Sequence, residues 1–350
     1  MRSACITYDR KGSMNMKKLV CLLLMLTLAL ALFAGCSKPE NNTTTAAPGK
    51  ADLKLALVVA GQFGDRSFYD SSKEGADRLA KDLGIQVTTI ECNNDNHTNQ
   101  MRNAADKADV VVCVGWEFYD IETVAPQYPD VKWIWIDNQT ESPVPNVLNI
   151  TYAQNEGSYL AGYIAAAVSE TKIIGAVGGQ DQPVINDFIV GYKQGAAAFN
   201  PDVKVVTNYT NDYDDPAKGK ECALALADQK ADVIFQIASA AGDGVFEAAK
   251  ERGIFAIGVD SDQKYISPEV IICSMKKEVG NSIYDAVKAL AAGDASKWGT
   301  TWVADMSNGY VGIGYGEEGS TQQVSDEIKA AVEELAKKIV SGEIKVDTTR

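Results

Sequence analysis

The chain has 350 residues, a formal net charge of −14 and a single histidine among 23% charged residues. So acidic a surface is a poor match for nucleic acid or an anionic membrane, which bind through lysine and arginine. One histidine and no close Cys-x-x-Cys pair argue against a Ser-His-Asp hydrolase and a structural zinc site, so neither a metal nor a cofactor is expected.

The first element is a secretory signal. Lys17 and Lys18 precede an apolar run from Leu19 to Phe33, and Ala34-Gly35-Cys36 closes it with small residues before a cysteine. The run is shorter than the ~20 residues a membrane-spanning helix needs. Leu32-Phe33-Ala34-Gly35-Cys36 resembles the bacterial lipobox, with Phe33 in place of the usual aliphatic residue. Residues 1–35 are thus expected to be removed, translation starting at Met14 or Met16, and Cys36 to carry a lipid that holds the chain on the extracytoplasmic face of the cell membrane. Residues 36–50 are polar, Thr-rich and contain Pro39 and Pro48. They read as a flexible tether, which places the start of the folded body near Ala51.

From there strands and helices alternate. Leu53–Val59, Ile85–Ile90, Val110–Val114 and Lys132–Ile136 read as strands, with helices over Phe68–Leu83, Thr98–Lys107 and Ile121–Gln127. Asn146–Thr151 reads as a crossing segment, followed by an amphipathic helix over Glu156–Ser169. A second set repeats the rhythm, with strands Ile173–Val177, Val203–Thr207, Val233–Ile237 and Phe255–Val259 and helices Val184–Phe199, Pro216–Gln229 and Gly244–Arg252. Ile271–Ser274, Val279–Ala292, Trp302–Asp305, Tyr310–Gly314 and Ser325–Ser341 are too few for a third domain and are expected to complete the first two. Short β-branched runs separated by helices predict parallel sheets covered on both faces. The expected fold is α/β, with two doubly wound lobes joined by three crossovers: residues 51–150 with 277–303, and 151–276 with 304–345.

In open α/β sheets ligands lie beyond the carboxyl ends of the strands. Those ends carry Asp65 and Phe68 after the first strand, Trp116, Glu117 and Asp120 after the third, then Tyr213, Ser239 with Gly242, and Asp260. Aromatic faces with carboxylates suit a flat, hydroxyl-bearing ligand. Asp65, Asp120 and Asp215 also stand just before helices, where aspartate commonly caps. Trp133 and Trp135 read as packing residues, and His97 as a solvated one. Gly314-Tyr315-Gly316-Glu317-Glu318-Gly319 matches a dinucleotide-binding spelling, but no helix is predicted to open there, so it reads as a turn.

Asp65-Arg66-Ser67-Phe68 resembles the Asp-Lys-Ser-Phe-Asn motif of the basic membrane protein family of bacterial substrate-binding lipoproteins. Glu156–Gly162, Gly178–Asp181 with Phe188–Gly195, Tyr213–Gly219 and Gly258–Gln263 are similar to further signatures of that family, in the same order. The resemblance implies a type I periplasmic binding fold and a monomeric, non-enzymatic receptor that binds purine nucleosides between its lobes and delivers them to an ABC transporter permease. It implies that Phe68 and Tyr213 sandwich the base, that Asp120 or Glu117 reads the base edge, and that Asp260 and Lys277 hold the ribose. Lys276 competes with Lys277 for the Ser-x-x-Lys position counted from Ser274. Ser239 and Gly242 would bring backbone groups to the sugar. Tyr69 stands where the family has Asn, and Ser239-Ala240 where it has a glycine pair. A receptor for a sugar or small signalling molecule is the alternative, and an extracellular nucleoside hydrolase a more distant one.

Overall fold

The computed structural model describes residues 52–92, 96–138 and 143–349. The signal, Cys36 and the tether lie outside the described residues. The strands are β1 (Lys54–Val59), β2 (Gln86–Glu91), β3 (Val110–Val114), β4 (Lys132–Ile136), β5 (Val147–Tyr152), β6 (Ile173–Gly178), β7 (Lys204–Tyr209), β8 (Val233–Ile237), β9 (Phe255–Asp260), β10 (Ile271–Lys277), β11 (Thr301–Ala304) and β12 (Val311–Gly314). The helices are α1 (Phe68–Leu83), α2 (His97–Ala105), α3 (Ile121–Val124), α4 (Gln154–Val168), α5 (Pro183–Phe199), α6 (Pro216–Asp228), α7 (Asp243–Arg252), α8 (Val279–Ala291) and α9 (Asp326–Val340).

The strands form two six-stranded sheets, ordered β2-β1-β3-β4-β5-β11 and β7-β6-β8-β9-β10-β12. Every pairing is parallel except β10 with β12. The chain leaves the first sheet after β5, returns through α8 to place β11, and leaves again to place β12. These are the three crossovers expected. β3 is buried along its whole length, as befits a central strand with both faces covered.

Asn146–Thr151 is not a free connection. It is most of β5, an inner strand between β4 and β11. Asn149 and Thr151 are buried there alongside Leu148 and Ile150. Polar residues on a strand buried on both faces hide the strand signal. α4 likewise departs from the amphipathic reading, because it is buried nearly all round. It packs on α5 so closely that glycines are required: a Cβ on Gly195 would lie 1.8 Å from the Tyr159 carbonyl oxygen, and one on Gly162 2.0 Å from that of Tyr192. Gly195→Ala is therefore expected to destabilise the protein by about 1–3 kcal/mol, since overpacking outweighs the ~1 kcal/mol gain in helix propensity. Urea unfolding measures it, and an unchanged midpoint would mean that the helices part freely.

Trp133 and Trp135 are buried in the core, as their strand position predicts. Cys92, Cys113, Cys222 and Cys273 are free thiols. His97 is not a solvated residue: it is half-buried, with its ring edge-on to Phe118 at 5.1 Å. The start of α2 packs over the loop that follows β3, which covers it. Gly314–Gly319 forms a turn, with the Gly316 N–H donating to Asp262 at 2.7 Å.

Candidate functional site

The carboxyl ends of both sheets converge on one cavity between the lobes. From the first lobe it is lined by Phe68, Tyr69, Gly115, Trp116, Glu117 and Asp137. The second lobe contributes Val184, Ile185 and Phe188 from α5, Tyr213 before α6, and Ile237, Ser239, Val259, Asp260 and Lys277 from the ends of β8, β9 and β10.

The loop between β1 and α1 holds the first wall. The carboxylate of Asp65 accepts from the backbone N–H groups of Ser67, Tyr69 and Asp70 at 3.0–3.1 Å, so it caps α1 in the manner its position suggests. Burial raises its pKa, and these hydrogen bonds work against that rise. It also accepts from the Ser239 hydroxyl of the other lobe at 2.8 Å. Three further contacts join the same loops: Ser67 Oγ donates to Asp260 Oδ2 at 2.5 Å, Gln263 Nε2 donates to the Arg66 carbonyl at 3.1 Å, and the Arg66 guanidinium pairs with Asp243.

A second interlobe junction lies on the cavity wall. Lys277, the last residue of β10, places Nζ 2.8 and 2.7 Å from the two carboxylate oxygens of Asp137, just past β4. Both side chains are almost fully buried. The ammonium also lies 4.8 Å from the Tyr152 ring centroid, 5.0 Å from that of Phe68 and 5.5 Å from that of Phe188. Desolvation pushes the Asp260 carboxyl up to about 6, against the pull of Lys277 and Ser67.

Trp116 and Glu117 follow Gly115, whose φ of +131° is open to glycine and which turns the chain sharply out of β3. A Cβ there would lie 2.4 Å from Glu117 Oε2. Desolvation raises the Glu117 carboxyl to about 7, and Asp137 and Asp214 add to the rise. The Tyr213 hydroxyl accepts from Gln182 Nε2 at 2.8 Å. A Cβ on Gly179 would lie 2.0 Å from the Tyr213 ring, so glycine there makes room for it.

Backbone strain gathers at the same place. Arg66, Asp137, Asn211, Ser239 and Asp260 have φ between +51° and +62°, and each follows or closes a strand at its carboxyl end. Non-glycine residues held there cost about 1 kcal/mol or more each and collect at functional sites. Ser239 keeps a glycine-type backbone where the resemblance implies a glycine pair, and its hydroxyl goes to Asp65.

The structure thus brings Phe68, Trp116, Glu117, Tyr213, Ser239, Asp260 and Lys277 to one wall or another of the cavity, with Asp65 behind them. Asp120 and Gly242 do not line it. Asp120 stands before α3 with its carboxylate accepting from the Thr98 hydroxyl in the first turn of α2, a tertiary bond rather than a cap on the N–H groups of α3. Gly242 packs against the Gln236 side chain. Lys276 faces away and pairs with Glu278. Tyr69, Asp137 and Phe188 are lining residues that the strand-end reading did not single out. Asp137 was open to the same rule, since it directly follows β4.

The sequence of residues 53–350 matches the family described as ABC transporter substrate-binding protein PnrA-like. The chain belongs to this family. It is therefore a substrate-binding protein of the ABC-transporter type and not an enzyme. Among its relatives, the ABC transporter nucleoside-binding protein BmpA of Lactococcus lactis subsp. cremoris is 31% identical over 357 residues, covering 95% of this chain and 99% of that protein. Basic membrane protein A of Borreliella burgdorferi is 29% identical over 340 residues, covering 94% and 96%. A solved solute-binding protein of an ABC transporter system from Aeropyrum pernix K1 superposes with a TM-score of 0.77 at 29% identity, covering 85% of this chain and 94% of that one. This chain has the type I periplasmic binding architecture, shared with its solved solute-binding neighbours. Among the described residues no helix is long and apolar enough to cross a membrane.

Proposed function

We propose that this protein captures a purine nucleoside in the interlobe cavity, outside the cytoplasm, and delivers it to the permease of an ABC importer. The observation that carries the reading is the pairing of aromatic and charged groups across the cavity. Phe68 comes from one lobe and Tyr213 from the other, beside the Lys277–Asp137 pair and Asp260. Aromatic faces stack on a base, worth ~1–3 kcal/mol per base, and hydrogen bonds to charged groups contribute ~1.5–3 kcal/mol each. One sandwich and a few such bonds reach the roughly −8 to −12 kcal/mol of micromolar-to-nanomolar binding. The nucleoside-binding relative supports the same ligand class.

In this reading Asp260 and Lys277 hold the ribose. A ligand touching both lobes favours the closed arrangement and so shifts the population towards it. The lipid on Cys36 and the tether keep a monomeric receptor near its membrane partner. The test is calorimetry on the body from Ala51 with inosine, guanosine and adenosine, after mass spectrometry has established that no ligand was carried over. Binding of at least one of them is expected, and absence of heat with all three would falsify the reading.

A further inference from the structure

Of the buried polar atoms on the residues lining the cavity, two lack a hydrogen-bond partner among the described residues: Trp116 Nε1 and Glu117 Oε2. The other charged lining groups each have a protein partner, Lys277 in Asp137 and Asp260 in Ser67, and keep further donor or acceptor capacity for the sugar. Trp116 Nε1 has the Tyr213 phenol beside it and no carboxylate or carbonyl partner of its own among the described residues. Most buried polar groups are paired, and for those on a cavity wall a bound ligand is a partner that can complete them.

We propose that Trp116 and Glu117 together read the edge of the base and select a 6-oxopurine nucleoside over a 6-aminopurine one. This rests on the nucleoside reading above and assigns the subclass. An indole N–H only donates, and an ionised carboxylate only accepts. A 6-oxopurine shows an acceptor, O6, next to a donor, N1–H, which is their complement. Adenine shows the reverse, an amino donor next to the N1 lone pair, and that lone pair faces the carboxylate without a proton between them.

The two ligands also require opposite protonation. The Glu117 carboxyl sits at about 7, raised chiefly by burial. Above that value it accepts N1–H of the oxopurine. Below it the carboxyl carries a proton, which it donates to adenine N1 while its carbonyl oxygen accepts from the amino group. The groups around it are Asp137 after β4, Asp214 and Tyr213 before α6, Tyr69 on α1 and Cys92 after β2. Asp260, at about 6, also lines the cavity and titrates nearby. It acts on both ligands in the sugar role proposed, so it cancels in their affinity ratio.

The experiment is the ratio of inosine to adenosine affinity by calorimetry, from about pH 5.5 to about pH 8. The ratio is expected to rise about tenfold or more across that range in the wild-type chain. Glu117→Gln, whose amide both donates and accepts at every pH, is expected to give a flat ratio. A flat wild-type ratio with nucleosides bound overturns the proposal and leaves the nucleoside reading standing. The same slope in Glu117→Gln also overturns it, by moving the titration elsewhere. Failure of every nucleoside to bind removes both.

Discussion

Lys277→Met is expected to lower ligand affinity by about a hundredfold or more. Lys277 and Asp137 come from different lobes and meet with both side chains almost fully buried. With lysine gone, closure buries the Asp137 carboxylate with no counter-charge. Removing one partner of a buried pair costs about 3–5 kcal/mol, which at ~1.4 kcal/mol per decade is a factor of about a hundred to a few thousand. The open arrangement escapes the cost because water reaches Asp137 there, so the penalty falls on closing rather than on folding. Small-angle scattering should then show a more open molecule at a ligand concentration that closes the wild type. Adding Asp137→Asn to Lys277→Met should recover a large part of the loss, since a neutral amide costs less to bury than a carboxylate. An affinity for Lys277→Met within about threefold of wild type, well under 1 kcal/mol, would show that closure does not form this pair.

Phe68→Ala and Tyr213→Ala are each expected to weaken binding by about tenfold to a hundredfold, the equivalent of ~1–3 kcal/mol of lost stacking. Phe68 has a second role, because its ring is one of the faces around the Lys277 ammonium, at 5.0 Å. Its removal should therefore cost at least as much as that of Tyr213. Tyr213→Phe keeps the ring and loses the hydroxyl to which Gln182 donates and beside which Trp116 lies, so it should stay within about fivefold of wild type, ~1 kcal/mol. Calorimetry reads all three. If both alanine variants bind as the wild type does, the ligand has no flat base, and a sugar or small signalling molecule becomes the better reading.

The sequence carried most of the elements by itself. β3, β4, β8 and α1 run over the spans their apolar patterns predict. These signals are local: a β-branched run between turn residues, or an apolar stripe of helical period, needs no partner to be recognised. The alternation of strands and helices also fixed the two-lobed parallel class, and with it the rule that strand ends hold the site.

What only the tertiary structure decided was which strand-end residues meet. Glu117 and Asp120 stand three positions apart in one loop, yet Glu117 lines the cavity and Asp120 turns to Thr98. The turn that separates them begins at Gly115 and depends on how the loop packs against its neighbours. Asp137 entered the site through a contact with Lys277, 140 residues away. Tyr69 and Phe188 lie on helices whose packing puts them against the cavity. β5 escaped notice because its buried Asn149 and Thr151 mask the apolar pattern, and its neighbours β4 and β11 are what make it a strand. Local chemistry writes the elements, while the pairing of distant ones chooses which side chains share a cavity, and no stretch of sequence carries that choice alone.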